Sequence, residues 1–132
     1  MIGMRRTYNI TEALGAMRPG AQWACRDNDY DQIVWYSTDQ TLPTLIELEE
    51  KIIELEAAEP MRILREIRDW YLKESDWTQM QDLRTIRGAE WCAAWDNYRA
   101  QLRNLPETDI TPYFDEMNFI QGVAWPRKPT LS

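Results

Sequence analysis

The sequence contains no histidine. Histidine is the side chain that most often acts as a general base near neutral pH, binds metals and activates a nucleophilic serine or cysteine. The five glycines are scattered and form no phosphate-binding loop, and the two cysteines form no Cys-x-x-Cys pair. We therefore predict a protein without catalytic activity, bound metal or cofactor.

A long apolar run, a signal peptide and an excess of positive charge are also missing. No run of about 18 apolar residues occurs, and no apolar segment follows the two arginines near the start. Fifteen basic and 22 acidic residues give a formal net charge of -7, which repels phosphate backbones. Cys25 and Cys92 are interpreted as small buried residues of a reducing compartment rather than as a disulfide. These features predict a cytosolic protein that binds neither nucleic acid nor membrane.

Aromatic residues, in contrast, are plentiful: the chain has seven Trp, six Tyr and two Phe. Tryptophan and tyrosine bury a large apolar area but keep a polar group at one edge, so they suit both small cores and partner interfaces. A chain of 132 residues is long enough for one domain. Composition therefore favours a binding protein.

The first 42 residues predict a short helix and a β-hairpin. The stretch "ITEALGAMRPG" (10–20) has helical spacing, with Asn9 as its cap and Pro19-Gly20 as its end. The runs "QWACR" (22–26) and "IVWYS" (33–37) predict a hairpin that carries Trp23 and Trp35. Alternate aspartates in the intervening "DNDYDQ" resemble half of a calcium loop, but the required glycine and final glutamate are missing, which favours a polar turn.

Three helical patterns follow between residues 43 and 106. In "TLPTLIELEEKIIELEAAEP", Pro43 suits the first turn, and Thr44 with Glu47 has capping-box spacing. An apolar seam at positions 45, 48, 52 and 55 needs a partner helix, and the glutamates are interpreted as solvated surface. Because Pro60 can either begin or kink a helix, a helical hairpin and one long kinked helix are both open. The third pattern, roughly 86–104, aligns Trp91, Trp95, Tyr98 and Leu102 on one stripe.

The last segment, 107–132, predicts an extended strap rich in proline and aromatic residues. Two interpretations of "WPRKP" (125–129) are open: a polyproline-II ligand for an aromatic groove, or a stiff strap that packs on its own domain. The whole pattern predicts an α+β fold, mainly α. In it, a lead-in (1–42), a helical body (43–106) and the strap (107–132) form one compact unit.

Three ordered blocks in the second half of the chain form specific sequence motifs. "LREIRDWYLKESDWTQMQD" (64–82), "WDNYRAQLRNLP" (95–106) and "WPRKP" (125–129) resemble the tail assembly chaperone domains of tailed bacteriophages. The residues that match the family pattern are Arg65, Arg68, Asp69, Ser75, Asp76, Trp77, Thr78, Gln79, Trp95, Tyr98, Arg99, Leu102, Arg103, Leu105, Pro106, Trp125, Pro126 and Pro129. Met80-Gln81-Asp82 stands where the family has Leu-Pro-Asp, and Trp70-Tyr71 is bulkier than the family's apolar pair.

This resemblance implies a non-enzymatic protein that assists the folding, trimerisation or attachment of a tail fibre or another tail protein. It acts in the host cell cytoplasm, and several copies can serve one fibre trimer. A permanent virion component, such as a fibre or baseplate adaptor retained in the tail, and a host-directed regulatory protein are the alternatives. With the aromatic pattern, the resemblance predicts these partner-binding residues: Trp70, Tyr71, Trp77, Trp91, Trp95, Tyr98, Arg99, Trp125, Pro126 and Pro129.

Trp77 lies in a polar hexapeptide, "ESDWTQ" (74–79), that closes one predicted helix. We expect Ser75 or Asp76 to cap a short helical turn, with Gln79 at capping-box spacing from Asp76. This turn would direct Trp77 back onto the stripe that contains Trp95. The sequence leaves two alternatives for Trp77: a position in the core, or direct contact with a partner.

Overall fold

A computed structural model describes residues 2–130. The architecture is α+β and mainly α, as predicted, with helices and two small antiparallel strand pairs among the described residues. The elements in chain order are α1 (Ile10–Met17), β1 (Trp23–Ala24), β2 (Val34–Trp35), α2 (Leu45–Glu74), α3 (Gln81–Arg87), α4 (Ala89–Asn104), β3 (Tyr113–Phe114) and β4 (Ile120–Gln121). None of the helices within residues 2–130 is long and apolar enough to cross a lipid bilayer.

The described residues form two compact units. The N-terminal unit consists of Arg6–Glu59, and the C-terminal unit consists of the described residues up to Arg5 and from Pro60 onward. Helix α2 contributes its first half to one unit and its second half to the other, with Pro60 inside the helix. Of the two arrangements left open around Pro60, the structure therefore has the single helix. The bounds of the two units differ from those of the three predicted segments.

The N-terminal unit is built on α1, the first hairpin and the first half of α2. The Asn9 side chain accepts a hydrogen bond from the Glu12 backbone N–H at 2.9 Å, so the predicted cap of α1 is confirmed. Strands β1 and β2 pair with Trp23 opposite Trp35, which confirms the predicted hairpin. The core of this unit contains Ala13, Leu14 and Leu48, all fully buried, with Trp23 and Trp35 packed against it.

The start of α2 has the predicted capping box. Thr44 Oγ1 accepts from the Glu47 backbone N–H at 3.2 Å, and the Glu47 carboxylate accepts from the Thr44 backbone N–H at 3.1 Å. The hydrogen bonds from Thr44 lower the pKa of Glu47. Pro43 was expected in the first turn, but it precedes the cap and lies outside the helix, because Thr44 takes the capping position.

The C-terminal unit contains the second half of α2, a 3-10 turn at Asp76–Gln79, and helices α3 and α4. The helix predicted at roughly 86–104 begins later, at Ala89, because Gly88 takes a left-handed backbone conformation with φ of 89°. Glycine adopts a positive φ without the steric cost that a Cβ would add, and the helix breaks at this residue, which separates α3 from α4.

A second hairpin, β3 and β4, occurs where the sequence predicted an extended strap. Tyr113 pairs with Gln121, and Phe114 pairs with Ile120. The Asp115 carboxylate closes the turn by accepting from the backbone N–H groups of Phe119 and Met117 at 3.0 and 2.9 Å, and these bonds, the one from Phe119 most, lower the pKa of Asp115. Unlike the runs "QWACR" and "IVWYS" of the first hairpin, the segments around β3 and β4 contain no run of four or five strand-forming residues, so the sequence pattern missed them.

Candidate partner-binding site

The "ESDWTQ" hexapeptide forms a corner at the end of α2 in which two polar side chains are buried. Ser75 and Thr78 are 2% and 0% exposed. The Ser75 hydroxyl donates to the Leu72 carbonyl at 3.0 Å, and the Thr78 hydroxyl donates to the Ser75 carbonyl at 2.6 Å. Ser75 takes the N-cap position of the 3-10 turn, but its side chain makes no capping bond, and neither does Asp76. The predicted capping box is therefore wrong here, because these polar groups bond to α2 and α4 instead.

Arg99 of α4 holds this corner in place. Its guanidinium donates to the Leu72 carbonyl and to the Ser75 hydroxyl, each at 2.7 Å, and pairs with the Asp76 carboxylate at 3.1 Å. Leu72 lies in the last turn of α2, where carbonyl groups lack helical partners. Arg99 of α4 therefore donates to the last turn of α2 and links the two helices.

A second ion pair fixes α3 against α4. Arg84 donates to both carboxylate oxygens of Asp96, at 3.0 and 2.8 Å, and Gln79 contacts the same carboxylate at 3.5 Å. The hydrogen bond from Arg84 holds the pKa of Asp96 below its usual range, and the same bond raises the pKa of Arg84. Bidentate pairs of this kind set orientation as well as energy. Arg84 and Asp96, with Gln79, thus hold α3 against α4.

Trp77 turns back onto α4, as expected. Its ring lies 5.4 Å from that of Trp95 in an edge-on arrangement and 5.9 Å from that of Trp91. The side chain nevertheless remains 44% exposed. Trp77 is therefore packed against α4 on one side and exposed to solvent on the other. It combines features of a core position and of a surface position that a partner could contact.

The stripe of α4 is the core of the C-terminal unit. Trp91, Trp95 and Tyr98 are 4%, 2% and 6% exposed, and Leu102 is fully buried. Burial raises the pKa of the Tyr98 phenol. These three aromatic side chains were predicted to bind a partner, and in this structure their rings pack inside the unit, with Tyr98 also lining the groove described below.

An open groove of about 360 Å³ lies beside this core. One wall comes from the end of α2 and the other from the C-terminal strap. The groove is lined by Trp70, Tyr71, Glu74, Ser75, Tyr98, Trp125, Pro126 and Lys128. Trp70 is 39% exposed, so one large ring is available to a partner there.

Of the two interpretations of "WPRKP", the structure has the strap that packs on its own domain. The rings of Trp125 and Tyr71 meet edge-on at 5.4 Å, and Tyr71 meets Trp70 at 5.3 Å. Trp125 also packs against the buried aromatic core. Pro126 lines the groove, whereas Pro129 is half-buried and lies outside its lining.

Sequence reasoning missed two charged residues of the groove, Glu74 and Lys128. The Lys128 ammonium lies 6.0 Å from the centre of the Trp95 ring, close enough for a weak cation–π contact. The sequence signals for these two were weak: Lys128 directly precedes the predicted residue Pro129, and Glu74 lies three positions from both Tyr71 and Trp77. Both charges border the aromatic surface, as is common at the edge of a binding site.

These features define a small helical module with a rigid polar corner, an aromatic core and one aromatic groove. The family model for phage tail assembly chaperone protein matches residues 61–130, which is just over half of the chain. No curated protein and no solved structure matches the chain. The chain therefore belongs to the phage tail assembly chaperone family, as the sequence blocks predicted.

Proposed function

We propose that the protein binds a tail fibre, or another tail protein, through the aromatic groove of the C-terminal unit. Binding is non-covalent and non-catalytic, and it assists folding or attachment of the tail protein during assembly in the host cell. One observation carries this proposal. Five of the predicted partner-binding residues, drawn from all three sequence blocks, line one groove: Trp70, Tyr71, Tyr98, Trp125 and Pro126.

The groove suits a short apolar segment rather than a folded domain. A volume of about 360 Å³ is at the small end of the range for ligand sites, about 300–1,000 Å³. The rings of Trp70 and Trp125 supply rigid apolar walls, and aromatic anchors of this kind contribute much of the affinity at interfaces. Covering an apolar segment until assembly buries it would prevent premature aggregation of the tail protein.

Co-expression with the phage's tail fibre protein tests the proposal. We expect the two proteins to co-purify and the yield of soluble fibre trimer to rise. Trp70→Ala should weaken the complex by about thirtyfold or more, because a central aromatic anchor contributes about 2 kcal/mol or more. Tyr113→Ala is the matched control, since Tyr113 is 56% exposed in the same unit but lies outside the groove lining.

Absence of any complex with the fibre would contradict the proposed partner. A complex that Trp70→Ala and Tyr113→Ala affect equally would contradict the groove as its site. Mass spectrometry of purified particles addresses the duration of binding, since the assembly role predicts substoichiometric amounts and a permanent virion component predicts a fixed ratio to the fibre.

A further inference from the structure

The net charge of the protein is confined to the N-terminal unit. Arg6–Glu59 contains four basic and 11 acidic residues, whereas the rest of the chain contains 11 of each. The segment that matches the chaperone family lies entirely in the electrically balanced part. The acidity is therefore a property of the N-terminal unit alone.

Much of this acidity flanks an exposed apolar stripe on α2. Ile46 and Ile53 are 68% and 67% exposed, and Ala57 is exposed as well. Steps of seven and four residues place all three on one helix face. Leu48, on the opposite face, is fully buried in the core with Leu14. The first half of α2 thus has a second apolar face, which its own unit does not cover.

Glutamates border this stripe on both sides. Helical spacing places Glu49 and Glu56 along one edge, and Glu50 and Glu54 along the other. Lys51 is the basic residue of this half of α2, and its ammonium pairs with Glu54 at 3.1 Å. Within residues 2–130, Glu49, Glu50 and Glu56 have no ion-pair partner.

We propose that this face, which we call the acidic stripe, docks a helix of a partner protein with an apolar seam flanked by lysine or arginine. The acidic stripe consists of Ile46, Ile53 and Ala57 with the glutamates at positions 49, 50, 54 and 56. An apolar seam bordered by charges of one sign is the pattern by which paired helices select partners of opposite charge. A second copy of the chain would place glutamate against glutamate, which opposes association.

The dimensions of the acidic stripe match a short helix. From Ile46 to Ala57 it runs along about 17 Å of α2, because each helical residue advances by about 1.5 Å. This docking surface lies outside both the family match and the aromatic groove, so it does not depend on the proposed function.

Peptide binding to the full chain tests this inference. The probe is a fluorescently labelled helical peptide of about three heptads, with a leucine and isoleucine seam flanked by lysine. One comparison peptide carries glutamate in place of lysine, and another has the same composition in scrambled order. Fluorescence anisotropy should show saturable binding of the lysine peptide. Both comparison peptides should bind at least about tenfold more weakly, and the affinity for the lysine peptide should fall at high salt.

Matched variants separate docking at the acidic stripe from nonspecific charge attraction. Ile46→Ser combined with Ile53→Ser should weaken binding of the lysine peptide by about tenfold or more. Ile86→Ser, at a residue that is 81% exposed on α3, should leave binding unchanged. Glu49→Gln with Glu56→Gln should reduce both affinity and salt dependence.

Three results would overturn the inference. They are no saturable binding of the lysine peptide, equal binding of the scrambled peptide, and equal binding by the isoleucine double variant and the Ile86→Ser control. A dimer of the free chain that the isoleucine double variant abolishes would make a second copy the occupant instead. None of these results alters the fibre co-purification test, which depends on Trp70.

Discussion

Replacing Arg99 by alanine should destabilise the C-terminal unit more than the same replacement of Arg103, the other arginine of α4. The substitution removes two 2.7 Å hydrogen bonds, to the Leu72 carbonyl and the Ser75 hydroxyl, and the ion pair with Asp76. The Ser75 side chain stays buried and loses a donor. The corner between α2 and the 3-10 turn would then lack its cross-link to α4.

The magnitude follows from burial and charge. Hydrogen bonds from a charged donor contribute about 1.5–3 kcal/mol each, and the Arg99 side chain is only 14% exposed. Asp76 is 64% exposed, so its ion pair adds no more than about 1 kcal/mol. Because the bonds share one guanidinium and are not additive, we expect a total loss of about 3 kcal/mol. Arg99→Lys should lose less, since it keeps the charge but not the planar fork.

Urea denaturation followed by tryptophan fluorescence measures this loss. Five of the seven tryptophans belong to the C-terminal unit, so the signal reports mainly its unfolding. Arg103→Ala is the control, because the Arg103 side chain is an exposed arginine on the same helix. A loss below about 1 kcal/mol for Arg99→Ala, or one equal to the control, would refute the reasoning.

Three further predictions concern the same unit. Trp77→Ala should cost about 2 kcal/mol in urea denaturation, less than the 3–5 typical of a fully buried ring, because 44% of the side chain is exposed; an unchanged midpoint would contradict its packing on α4. Gln81→Pro should stabilise the protein by about 0.4–1 kcal/mol, because position 81 begins α3 and Met80 already has the extended backbone that a residue before proline adopts. A lower melting temperature would contradict this. Asp96 has a lowered pKa in the folded state, so its contribution is present above the unfolded value of about 3.9 and is lost as pH falls through the folded value. Urea midpoints measured from neutral to acidic pH should fall at the acidic end and fall less for Asp96→Asn, whereas identical pH profiles would contradict the role of Asp96.

Local signals account for much of the fold that sequence predicted. The Asn9 cap, the Thr44 capping box and the pairing of Trp23 with Trp35 each depend on residues close together in the chain. The break at Gly88 escaped prediction because a single glycine is compatible with a helix. The β3–β4 hairpin escaped prediction because no run of four or five strand-forming residues marks its strands.

The lining of the aromatic groove was predicted only in part. The sequence placed Trp91, Trp95 and Tyr98 on one stripe, but periodicity cannot distinguish a stripe that faces the core from one that faces a partner. Packing by Trp77 and Trp125 makes this stripe the core, and leaves Trp70 at the open groove. Such contacts join residues far apart in the chain, so no local pattern contains them.

The sequence by itself determined the fold class, the first hairpin, the caps of α1 and α2, the family and the absence of histidine chemistry, because these depend on composition and short-range spacing. Only the tertiary structure decided that Arg99 cross-links α4 to the end of α2, and that the strap packs on its own unit. It also decided that the net charge belongs to one unit. These properties depend on which surfaces are brought together when the chain folds, and burial and ion pairing are set by that proximity rather than by order in the sequence.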